Sequence, residues 1–300
     1  GRHVHLVLEN EDNRASLLTA GFTAQWNDDG HNVLHALLTD ESQGYYADYH
    51  QDATTKLARF LGEGFIYQGQ NNRRGEARGE PSGHLPPTSF VLFLQNHDQT
   101  GNRAFGERLV SLADADALRA ATAVLLLSPM VPLLFMGEEW GARQPFLFFT
   151  SHHGELADAV REGRRNEFAE FAEFADEATR ERIPDPNAVS TFENSRPDFS
   201  ARQEPGHAEW YALYRELLSI RHREIVPRLQ GAHFLESRVL AQAAVLSRWQ
   251  LGDGSRLRLE LNLGTQAAPL PTALINGELL FASREATHAH DQLAPRMARL

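Results

Sequence analysis

Three short apolar runs limit what this chain can fold into: Val4 to Leu8, Phe90 to Leu94, and Val131 to Phe135. Each stops abruptly at polar or acidic residues, respectively Glu9, the series Asn96, His97, Asp98 and Gln99, and the pair Glu138 and Glu139. Helical periodicity follows, notably around Asp48 to Leu61, in DALRAATAVLLLS and from His207 to Arg223. Apolar runs alternating with helices are the pattern of parallel strands joined by crossover helices. In such a sheet the functional groups sit at the C-terminal ends of the strands.

The rest of the chain punctuates that pattern. The stretch QGQNNRRGEARGEPSGHLPPT is too rich in Gly, Pro and Arg for a helix or a core strand, and reads as a long excursion over the surface or a site. Arg161 to Pro186 is charge-dense, with Phe168, Phe171 and Phe174 three apart, and reads as a solvated helical excursion that docks one aromatic edge. Beyond Pro227 the period changes. AVLSRWQL, RLRLELNL and ELLFAS, separated by GDG and ING, read as antiparallel strands of a small separate domain.

Composition narrows the function classes. With 300 residues, 42% of them apolar, there is material for one large domain and a small one. The net charge of −11 and the absence of a basic run interleaved with aromatics argue against a nucleic-acid partner. No cysteine is present and no apolar stretch is long enough to span a bilayer, so a soluble protein of a reducing, cytoplasmic compartment is expected. The N-terminus, GRHVHLVLENEDN, has no signal-peptide pattern and enters a strand at once, as a chain starting inside a domain would.

Glu9 and Asp98 each follow a strand of the same sheet, and paired acids at one rim suit acid/base work on a glycosidic bond. Strand ends that simply emerge into water would look the same for either acid alone. His97 beside Asp98 adds a group that can hydrogen-bond sugar hydroxyls. In QWNDDGHNVLH, His31 and His35 could share a helix face and hold a metal with Asp28 or Asp29, but the glutamate of an HExxH motif is missing. Trp26, Asn27 and the two acids equally make a sugar platform. In MGEEWG, Trp140 is either a stacking surface or a core tryptophan, with Glu138 or Glu139 as a polar contact.

Five blocks carry a resemblance: HLVLENEDN, AQWNDDGHNVLHALLTDESQGYYADY, FLQNHDQTGNRAFGERL, LLFMGEEWGARQPFLFFTSHHGELADAVREGRR and IPDPNAVSTFENSRPDF. In this order they resemble the maltooligosyltrehalose trehalohydrolases, a family of the α-amylase superfamily of glycoside hydrolases; the likeness fades after about residue 228. The resemblance implies that Asp98 stabilises an oxocarbenium-like transition state, that Glu9 is the general acid/base and that His97 contacts the sugar in the cleaved subsite. Asn96, Gln99 and Arg103, with Gln95 and Asn102, would line or brace the site. Trp26, Asp28, Asp29, His31, Glu139 and Trp140 are its further substrate-binding candidates. Gly30 and Asn32 stand where the family usually has a bulky residue and a second histidine.

One family block is absent. The nucleophile of these enzymes is an aspartate ending strand four, in a sequence resembling DGLRLDAVH, and nothing like it occurs here. The implied fold is α/β: the C-terminal half of a (β/α)8 TIM barrel, strands five to eight, over residues 1–227, followed by a small antiparallel β-sandwich over 228–300. The parent enzyme would hydrolyse, with retention, the α-1,4 bond next to the terminal trehalose of maltooligosyltrehalose. Its partners would be that substrate, related α-glucans and the missing N-terminal half of the barrel, with no cofactor, metal, nucleic acid or membrane. The chain alone would be inactive. A glycogen-branching or debranching relative, and a carbohydrate-binding piece without catalysis, are the alternatives.

Overall fold

The structure, a computed structural model, describes residues 2, 4–169, 174, 176–271, 277–284 and 291–300. Phe171 of the spaced phenylalanines lies outside them. The chain divides into two compact bodies, one of residues 1–94, 113–133 and 213–300, the other of 95–112 and 134–212.

The first body contains the expected parallel sheet. Its strands β1 (Val7–Leu8), β2 (Ala24–Trp26), β5 (Phe90–Leu92) and β6 (Val131–Pro132) lie side by side in that order, every neighbouring pair parallel. Between β2 and β5 the long excursion folds a hairpin, β3 (Gln70–Asn71) and β4 (Ala77–Arg78). β5 is buried throughout, whereas β1 is the edge strand of this sheet, with Val7 exposed.

Helix Asp28–Thr39 follows β2, and Asn27 makes the junction. Its backbone N–H donates to Val91 O (2.9 Å), its side-chain amide to Gly64 O (3.0 Å), and its side-chain oxygen accepts from Gly30 N (3.2 Å) as a helix cap. A Cβ at Gly30 would lie 2.5 Å from the Phe60 ring, so Phe60 leaves no room for a larger residue there. The stretch expected to be helical from Asp48 to Leu61 is two helices, Ala47–His50 and Ala53–Glu63, because Asp52 between them is left-handed at φ 54°. Helix Ala115–Leu127 precedes β6. Buried Arg221 satisfies the carbonyls at its C-terminal end, donating to Leu126 O (3.0 Å), Ser128 O (2.7 Å) and Met130 O (2.6 Å).

After helix His207–Ile220 come β7 (His233–Ala241), β8 (Ala244–Gln250) and β9 (Arg256–Asn262), then β10 (Ala268–Pro269), β11 (Gln292–Leu293) and β12 (Met297–Arg299). They form an antiparallel sheet in the order β12-β9-β8-β7 and a separate β10-β11 pair. Ala244, Ala268, Leu270, Leu293, Ala294 and Met297 form the apolar layer that the two share. AVLSRWQL and RLRLELNL are strands as expected. ELLFAS forms no named strand but runs beside β12, with the bridge Ala282 to Arg299 and backbone N–H groups of Leu280 and Ser283 donating to Leu300 O (2.8 Å) and Ala298 O (2.9 Å); β7, at the opposite edge of the sheet, was not expected. β7 was missed because His233, Glu236 and Arg238 interrupt its apolar alternation.

In the second body helix Gly154–Glu167 precedes an apolar cluster of Ala104, Phe168, Phe174 and Ile183, so Phe168 and Phe174 do dock as an aromatic edge.

Candidate functional site

Glu9 follows β1 directly and is exposed. The backbone beyond it is held from below. Buried Gln25, on β2, donates through Nε2 to Asn10 O (3.1 Å) and Asn13 Oδ1 (3.2 Å), and Arg78, on β4, donates through Nε to Glu11 O (2.6 Å). Glu80 adds a third tie, its N–H donating to Asn13 O (2.9 Å) and its carboxylate accepting from Ser16 N (2.7 Å). The Gly/Arg/Pro-rich excursion therefore reaches into the fold. Its Arg78 and Glu80 brace the segment that carries Glu9.

Among the candidates after β2, Trp26 and Asp28 are half-buried, with the Trp26 ring 5.7 Å from that of Phe93. Asp29 is different from the expected substrate contact. It is wholly buried, and its carboxylate accepts from Asn13 Nδ2 (2.7 Å), Tyr49 Oη (2.6 Å), Ile66 N (2.6 Å), Tyr67 N (3.0 Å) and Arg78 Nη2 (3.1 Å). Five donors occupy a carboxylate's acceptor positions and leave nothing for a ligand. Burial, with the charge of Asp29, raises the hydroxyl pKa of Tyr49 well above its ordinary value; burial and the charge of Asp48 push Tyr67 up to about 12. Both phenols stay protonated, Tyr49 as a donor.

His31 is also buried, its ring stacked on Phe93 at 5.6 Å and its Nδ1–H directed to Leu94 O (2.9 Å). His35 stacks on Tyr46 at 4.0 Å and pairs through Nε2 with Glu41 (3.0 Å). His31, a substrate-binding candidate in the sequence, is thus turned inward against Phe93 and Leu94, just past β5.

The second body carries the other group of candidates. Asp98 is not at a strand tip. It lies in the first turn of helix His97–Gly101, six residues past the end of β5, and both His97 and Asp98 are exposed. Asn96 is buried and its side-chain oxygen accepts from Asp98 N (2.9 Å) and Gln99 N (3.0 Å), so it caps the helix that carries Asp98. Asn102 donates to Asp98 Oδ1 at 2.6 Å. Gln99 and Arg103 are half-buried, and Arg103 pairs with Glu107 at 3.2 Å.

Beneath this helix, buried Gln95 accepts from Leu109 N (2.9 Å) and donates to Glu138 Oε2 (3.3 Å). Burial is the main force that pushes the Glu138 pKa up to about 8, so at neutral pH it holds a proton. Arg108, unremarked in the sequence, is buried and ties Met136 O (2.7 Å) to Gln144 O (2.8 Å). Gly106 is required by a close approach: at φ 60°, a Cβ there would lie 2.3 Å from Phe146 O. The glycine was open to sequence reasoning; the burial of Arg108 was not.

Trp140 is 1% exposed and packs against Phe199 at 5.2 Å, the core position of its two sequence readings. A ring of that size gains most from full burial. Glu139 is half-buried and accepts from Gly137 N at 3.0 Å.

Comparison with known proteins places this arrangement. The family described as "Domain of unknown function (DUF3459)" matches residues 232–300. Malto-oligosyltrehalose trehalohydrolase of Mycobacterium tuberculosis is 35% identical over 292 residues, 94% of this chain and 48% of its own length. The same-named protein of Deinococcus radiodurans is 42% identical over 230 residues, 75% of this chain and 37% of its own. The crystal structure of a putative alpha amylase from Salmonella typhimurium superposes with a TM-score of 0.88 at 41% identity, over 99% of this chain and 51% of that one. The chain thus spans about half the length of the relatives it matches, and its parallel sheet and antiparallel tail are those of the C-terminal half of a (β/α)8 barrel with its β-sandwich. The chain belongs to the maltooligosyltrehalose trehalohydrolase family of the α-amylase group of glycoside hydrolases.

Proposed function

We propose that the protein containing this chain hydrolyses, with retention, the α-1,4-glucosidic bond next to the terminal trehalose of maltooligosyltrehalose, releasing trehalose. The observation that carries this reading is similarity to a malto-oligosyltrehalose trehalohydrolase along 94% of the chain. In this reading Glu9 protonates the leaving oxygen and later deprotonates water. Asp98 stabilises positive charge at the sugar carbon. The exposure of both carboxyls, the anchoring of residues 10–13 and the hydrogen bond from Asn102 to Asp98 support these roles. His97 is proposed to contact the sugar, and Trp26, Asp28, Gln99, Arg103 and Glu139 to line the subsites. No residue of this chain is proposed as the nucleophile. The family match to residues 232–300 supports a domain boundary near residue 227.

The test is product analysis on the complete product of the gene. Trehalose released from maltooligosyltrehalose supports the proposal; new α-1,6 branches from amylopectin, or saccharide binding with no turnover, overturn it.

A further inference from the structure

Arg164 stands on helix Gly154–Glu167 with its side chain only 4% exposed. Its guanidinium lies over the rings of Phe148 (5.2 Å) and Phe168 (4.6 Å), and Nη1 reaches Glu167 at 2.9 Å. Nη2 donates to two carbonyls, Gly101 O at 3.0 Å and Arg103 O at 2.8 Å. Those carbonyls flank Asn102, the residue whose side-chain amide meets Asp98 Oδ1 at 2.6 Å.

A helix of five residues ends with carbonyls that have no partner within it, and water or a side chain must satisfy them. Here one planar, permanently charged fork does so from a buried position. Desolvating a guanidinium is costly, and an aliphatic side chain would fill the space between two phenylalanines at less expense. The charge at this position is explained by the backbone that it grips. We propose that Arg164 is a positioning residue for Asp98: by fixing the carbonyls on both sides of Asn102, it fixes the amide that orients the Asp98 carboxylate. This rests on the proposed role of Asp98 at the transition state.

A double-mutant cycle in the complete gene product tests it, with Arg164→Met, Asn102→Ala and the pair, and turnover of maltooligosyltrehalose as the readout. Each single change should lower kcat about 10- to 100-fold with KM within about threefold, since the orientation of Asp98 matters mainly in the transition state. The pair should be no more than about threefold worse than Asn102→Ala alone, because both act through one carboxylate. Arg164→Lys, which keeps a cation on the carbonyls, should recover part of the loss. The half-buried Asn102 is the safer site should Arg164→Met fold poorly, and it must show the same kcat loss by itself. Multiplying effects, or a kcat near that of the unsubstituted enzyme in Asn102→Ala, would overturn the positioning role while leaving the enzyme reading intact. An unsubstituted enzyme that releases no trehalose would overturn that reading, and this inference with it.

Discussion

Nη2 of Arg78 lies 3.1 Å from Oδ1 of Asp29, joining the hairpin of the long excursion to the first turn of the helix after β2. Asp29 is completely buried and Arg78 nearly so, and the phenol of Tyr49 bridges them, donating to Asp29 at 2.6 Å and accepting from Arg78 Nη1 at 3.1 Å. Removing one partner strands the other charge in the interior. Asp29→Ala and Arg78→Met should each destabilise the protein by about 3–5 kcal/mol, and together by less than the sum. Urea unfolding measures this. Unchanged stability with weakened saccharide binding in Asp29→Ala would return Asp29 to the ligand contacts.

Glu138 makes the stability depend on pH. Its pKa rises from an ordinary 4.5 to about 8 on folding, so between these values the folded protein holds a proton that the unfolded chain has released. The favourable state is complete below about pH 4.5 and is lost as pH rises through about 8, at roughly 1.4 kcal/mol per unit over the window. Glu138→Gln should therefore flatten the decline in thermal midpoint between pH 5 and 8, to an extent on the order of a few kcal/mol. An identical pH profile for the variant would place the titrating group elsewhere.

The two tryptophans should separate. Trp140→Ala removes a buried ring and should cost about 3–5 kcal/mol of stability. Trp26 is half-buried, and Trp26→Ala should reduce trehalose release more than hydrolysis of plain maltooligosaccharide, because the turned glucose of trehalose must be recognised on the leaving-group side. Equal loss of both activities would make Trp26 a packing residue.

The parallel sheet was legible because its apolar runs are short, separate and each followed by a helix. Glu9 and Asp98 were legible as acids after strands, and both are exposed. Asp29 and Asp28 were indistinguishable in sequence: one step around a helix decides which faces Asn13, Tyr49 and Arg78, and those partners lie 16, 20 and 49 residues away. For His31 and Trp140 too, polarity or ring size alone does not tell an inward side chain from an outward one. Arg78 and Arg164 sit in charge-rich stretches that read as solvated, and only tertiary packing reveals which arginine turns inward.

The proposed division of labour between the two acids has its own signature. Glu9→Gln and Asp98→Asn should each lower turnover by several orders of magnitude with the fold intact. A substrate with an activated leaving group should rescue Glu9→Gln far more than Asp98→Asn, because only the former lacks the proton donor. Equal rescue would contradict the assignment.

The central claim is tested most directly by following the sugars formed when the complete gene product, and its Glu9→Gln variant, act on maltooligosyltrehalose. The expected result is trehalose and a shorter maltooligosaccharide from the unsubstituted enzyme and almost none from the variant. Maltose or glucose in place of trehalose, or equal trehalose release by both proteins, would contradict it.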